Sequence, residues 1–95
     1  MLVKIIKVMP QASREYTDRM GQKQVFKSKG FVLNAGDGTF YAEAVQETAT
    51  ALEELGIKEG DCAFVQLSYV AREYKDSQGV LRYANEITLR QMLMI

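Results

Sequence analysis

The sequence predicts a small all-β barrel of five strands, with one short helix between the third and the fourth. Three observations carry that expectation. Five β-rich segments are separated by runs of turn residues, and only one stretch has the punctuation of a helix. The chain is 95 residues long, 47% hydrophobic and 25% charged, which is the make-up of one globular domain over 1–95. A chain this short buries only roughly 60–70% of its unfolded surface, so association with another copy would help it.

The first segment, Leu2 to Met9, is β-rich and closes at Pro10, which cannot donate to a ladder. Apart from Lys4 and Lys7 it is apolar on both faces, as in a strand that curls through a barrel. Residues 11–23 are polar and read as a loop or hairpin tip. Val25 to Leu33 is the second strand, where a period of two puts Val25, Lys27, Lys29, Phe31 and Leu33 on one face. Gly30 in its middle predicts a bulge or sharp bend. Asn34 to Gly38 is a turn, and Thr39 to Gln46 the third strand.

The helix follows, with Thr48 or Thr50 as N-cap, Ala49 to Leu55 as body and Gly56 as stop. The fourth strand alternates Ala63, Val65, Leu67, Tyr69 and Ala71 with more polar residues. A turn at Asp76 to Gly79 leads to the last strand, with Ile87, Leu89, Leu93 and Ile95 on one face. Three strands, a short helix and a two-stranded hairpin are the plan of the five-stranded Greek-key barrel called the OB-fold.

Residue types exclude several chemistries. There is no His and one Cys, Cys62, so Ser-His-Asp and Cys-His catalysis, a His-Cys zinc site and an intrachain disulfide are all absent. Beside Ala63, Phe64 and Val65 the thiol reads as a small buried side chain. Glu43, Glu47 and Asp37 have no spacing that defines an acid–base pair. The first ten residues lack the apolar length and cleavage site of a signal peptide, and no run approaches ~18 apolar residues. The expectation is a cytoplasmic, non-catalytic protein without metal or cofactor.

Two features point toward a ligand. The run Arg14-Glu15-Tyr16-Thr17-Asp18 with Gly21 is echoed by Arg72-Glu73-Tyr74-Lys75-Asp76 with Gly79. Asp and Gly suit turns, so the echo reads either as ordinary hairpin chemistry or as two similar arms. Each arm would offer a guanidinium and a phenol ring, and in an OB-fold such loops frame an oligonucleotide. The zero net charge also hides a gradient. Residues 1–30 hold seven basic against two acidic side chains, and residues 31–66 hold one against seven. Single-stranded nucleic acid requires cations for phosphates and rings for bases.

From about Thr39 to Leu89 the sequence resembles the bacterial single-stranded DNA-binding protein family. The stretches that carry the likeness are LGIKEGD over Leu55–Asp61, AFVQL over Ala63–Leu67, REYKDSQG over Arg72–Gly79 and RYANEI over Arg82–Ile87. In size it is also similar to the small filamentous-phage proteins of this activity, which form dimers. The resemblance places Phe40 and Tyr74 at stacking positions, whereas Gln46 stands at a third position that is often aromatic in the family. The chain stops at Met92–Ile95 without the linker and acidic tip of bacterial members, as in a trimmed chain or a short form of phage, plasmid or mobile-element type.

The expected function is low-specificity binding of single-stranded DNA in replication, recombination or repair. Lys4, Lys7, Arg14, Lys27, Lys29, Arg72 and Arg82 would line the phosphate path, and Tyr16, Phe40 and Tyr74 would stack on bases. The apolar ends suggest strand edges covered by a second copy, most simply in a homodimer. The rivals are a protein-docking OB module that uses the acidic middle segment (Glu53, Glu54 and Glu59), and single-stranded RNA binding.

Overall fold

The structure, a computed structural model, describes Met1–Ile95. Its strands are β1 (Leu2–Val8), β2 (Ala12–Thr17), β3 (Lys23–Asn34), β4 (Thr39–Val45), β5 (Cys62–Lys75) and β6 (Leu81–Met94). One helix, α1 (Gln46–Leu55), stands between β4 and β5. The sheet order is β1-β5-β6-β4-β3-β2, and an added β1–β3 pairing closes five of the strands into a ring. That ring is the OB-fold barrel the sequence predicts. The closing contact between β4 and β6 is parallel and consists of Glu43 opposite Thr88.

The sixth strand is a departure. Residues 12–17, expected within a loop or hairpin tip, form a full strand that pairs with Lys23 to Ser28 of β3. Every residue of β2 is exposed, so its backbone bonds form without an apolar face to announce them. At Gly30, β3 changes partner from β2 to β1, and the Met9 N–H donates to the Gly30 carbonyl at 2.9 Å. No bulge occurs there, because the β3–β4 register runs unbroken from Ser28 to Asn34.

The bulges lie elsewhere. Ile6 is the extra residue in β1 and Arg90 the extra residue in β6. The one at Arg90 reverses the phase of the last strand. Met92 and Met94 therefore pack on the core, while Leu93 is 70% exposed and Ile95 also faces out, against the predicted face. Cys62 is exposed rather than buried, because Ala63 and Val65 take the inward positions of β5.

The core is small. Val3, Ile5, Phe31, Leu33, Ala42, Ala44, Ala63, Val65 and Leu89 fill the barrel, and Ala49 and Leu52 of α1 complete the cluster. The helix starts at Gln46, ahead of either predicted threonine cap. Val45 is its N-cap and offers no side-chain bond, while Gln46 makes the corner out of β4 at φ 55°. Thr50 lies inside the helix, its hydroxyl donating to the Gln46 carbonyl at 3.4 Å. Gly56 ends the helix in the left-handed region as predicted, at φ 64°.

Two arms leave the barrel, one built from β2 with the start of β3 and one from the outer halves of β5 and β6. They give the molecule extents of 41 × 35 × 18 Å and a radius of gyration of 15.4 Å. A compact chain of this length would have a radius of about 12 Å.

Candidate nucleic-acid interface

The sequence echo is an echo in space. In each arm an aspartate closes the turn with its own carboxylate. Asp18 accepts from the N–H groups of Met20 and Gln22, both at 2.9 Å, and from Gln24 Nε2 at 3.2 Å. Asp76 accepts at the same offsets, from Gln78 N (2.9 Å), Val80 N (3.0 Å) and Arg82 Nε (3.0 Å). Gly21 and Gly79 both sit at φ 78°, a conformation open to glycine. These bonds hold both carboxyls below their ordinary pKa. The Gln22 amide is the largest cause for Asp18, and the Val80 amide followed by Arg82 for Asp76.

Between the arms lies an open groove of about 630 Å³. Arg14 comes from one arm and Arg72 from the other, with Phe26, Tyr41, Glu43 and Val45 between them and Asn85 to Thr88 along β6. Strand alternation makes this floor. Ala42 and Ala44 point into the barrel, so Tyr41 and Glu43 point out. The Arg14 guanidinium lies over the Phe26 ring, 5.4 Å from its centre.

Tyr41 is 50% exposed and lies over Gly30, where a Cβ would stand 2.7 Å from its ring carbons. Gly30 therefore serves the ring, not a bulge. The Tyr41 hydroxyl donates to Glu43 at 3.2 Å, and partial burial, then the Glu43 charge, raise its pKa. Arg72 pairs with Glu86 at 2.8 Å, whereas Arg14 has no carboxylate within salt-bridge range.

The predicted site residues fall into separate places. Arg14 and Arg72 meet across the groove. Tyr74 lies two residues beyond Arg72 on the same arm face, opposite Arg82, whose guanidinium is bound to Asp76. Tyr16 and Lys27 line a second groove beside α1. Lys4 and Lys7 are exposed on β1 and line neither groove.

Two placements differ in kind from what the sequence suggests. Lys29 is 6% exposed, with its ammonium bound to Glu53 and to the Met9 carbonyl at 2.9 Å, so it is closed to an external phosphate. Phe40 shares the inward phase of Ala42 and packs against the core, beside an apolar pit formed with Met1, Tyr69 and Ile87. It is half-buried there and lines neither groove.

Sequence reasoning passed over Phe26, Tyr41 and Arg90. The signal for Tyr41 was present in the small, alternating Ala42 and Ala44. No group of three or more His, Cys, Asp or Glu side chains is placed to hold a metal ion, and no helix is long and apolar enough to cross a membrane.

The sequence matches no established protein family and no curated protein. The fold does have a counterpart among solved structures. It is similar to the solution NMR structure of the second OB-fold domain of replication protein A from Methanococcus maripaludis. The TM-score is 0.57 at 18% identity, over 99% of this chain and 79% of that one. At that identity the likeness is one of fold.

Proposed function

We propose that this chain is a non-catalytic module that binds single-stranded DNA with little sequence preference, in the groove between its two arms. One observation carries the reading. Arg14 and Arg72 approach from separate arms over a floor that holds two rings, Phe26 and Tyr41. Cations that replace phosphate counterions and faces that accept bases are the two things a single strand needs. The arms occupy the positions from which OB-folds grip oligonucleotides. The name of the structural neighbour, and the order of motifs shared with bacterial single-stranded DNA-binding proteins, support a place in replication, recombination or repair.

In this reading Tyr41 replaces Phe40 as the stacking ring on the third barrel strand, and Tyr74 extends the path along the second arm. Glu43 and Glu86 offset the two arginines within the groove. Binding is therefore moderate and salt-sensitive. Tyr41→Ala is expected to weaken binding of a thirty-residue oligothymidine by ~1–3 kcal/mol and Arg14→Ala to lower the salt slope by about 0.7, both in folded protein. Unchanged affinity in both variants would move the site out of this groove. Equal affinity for the matching oligouridine would extend the reading to RNA.

A second copy of the chain is proposed to cover the other side of the barrel. Leu2, Phe64 and Leu93 stand side by side across β1, β5 and β6, and are 54%, 51% and 70% exposed. Such a row on so small a barrel is an association surface.

A further inference from the structure

We infer that a bound strand does not stop at the inter-arm groove but continues past Val45 into the groove beside α1, where Lys27, Arg90 and Tyr16 form a second subsite. This inference rests on the proposed function and extends the same site.

The two grooves adjoin at Val45, which lines both. The second is the larger, about 870 Å³, and runs between the β2–β3 arm and the start of α1. The Lys27 N–H donates to Gln46 Oε1 at 3.3 Å and ties the arm to the helix corner. The walls of the groove are thus linked in the folded chain.

Its cations are free for an anion. The salt bridges of the molecule are Lys29–Glu53, Arg72–Glu86 and Arg82–Asp76, and neither Lys27 nor Arg90 takes part in one. Arg90 is the unpaired residue of the β6 bulge, and bulges re-aim side chains beside binding sites. Its Nε donates to Ser68 Oγ at 2.9 Å, which fixes the side chain and leaves the guanidinium's other nitrogens unused. Tyr16 adds a ring, 43% exposed, to the same groove. Glu47 and Glu54 line the helix side. Repulsion from these carboxylates would keep phosphates on the arm and β6 side, next to Lys27 and Arg90.

The test is a length series read by anisotropy of labelled oligothymidines of about 5 and about 15 nucleotides, within the range that one OB-fold covers. Lys27→Ala with Arg90→Ala is expected to leave the short oligomer unaffected. For the long one it should weaken binding severalfold and lower the salt slope by roughly 1.4, about 0.7 for each phosphate contact. Glu47→Gln with Glu54→Gln should act in the opposite direction, on the long oligomer alone. Circular dichroism checks that both variants fold. An unchanged length dependence, or an equal loss at both lengths, would overturn the second subsite and leave the first standing. No binding of either oligomer by the unaltered protein would overturn both.

Discussion

Lys29 is the one charged side chain the fold buries, and its surroundings explain why. It occupies an inward position of β3 where the barrel meets α1, and Glu53 of the helix and the Met9 carbonyl receive its protons. Removing one partner of such a pair leaves a buried charge uncompensated. Glu53→Ala is accordingly expected to lower stability by about 1–3 kcal/mol in a denaturant melt, with oligonucleotide affinity unchanged in the protein that remains folded. A loss of affinity larger than the loss of stability would place Glu53 in the site. A period of two rightly gives Lys27 and Lys29 one face. It cannot say that the face turns inward at residue 29 and leaves the barrel at residue 27. Phe40 and Tyr41 teach the converse, because their neighbours Ala42 and Ala44 mark which of the two rings is free.

At the scale of elements, the arms were the most legible and the most misread part of the chain. The Arg-x-Tyr-x-Asp echo identified both turns, and the two aspartates make the same three bonds at the same offsets. Yet the sequence left β2 open between loop and hairpin, since a ribbon exposed on both faces has no hydrophobic period. The β6 bulge was silent, because one extra residue changes no residue type while reversing the face of all that follow.

The turns also carry a pH dependence. A carboxyl whose pKa is lowered on folding contributes stability above its unfolded value and loses that contribution as pH falls through its folded value. Both arms should therefore loosen together below about pH 4, while the barrel persists. Amide exchange or NMR shifts at Gly21 and Gly79 would follow this directly. Tips that open with the barrel, or at different pH values, would contradict a shared local mechanism.

The whole molecule is a small barrel with large appendages. Thirteen of its 95 residues are buried, and the predicted ring of five strands survives with its helix in place. The closed ring was legible because its strands are rich in β-formers and its turns in Gly and Asp. The groove was not, because it is assembled from five strands whose residues are near neighbours only after the ring closes. So few buried residues, together with the exposed row Leu2, Phe64 and Leu93, lead to the expectation of a dimer at micromolar concentration by light scattering. Leu93→Glu should then yield monomers, and a monomeric unaltered protein would remove the second copy from the account.

The most direct measurement concerns the groove itself. Intrinsic tyrosine fluorescence would be followed while an unlabelled oligothymidine of about thirty nucleotides is added at two salt concentrations. Quenching that saturates, and that weakens as salt rises, is the expected result, because rings and cations both meet the strand. No quenching at low salt, with an unshifted gel, would contradict strand binding in the groove and favour a barrel that docks a protein through its acidic middle segment.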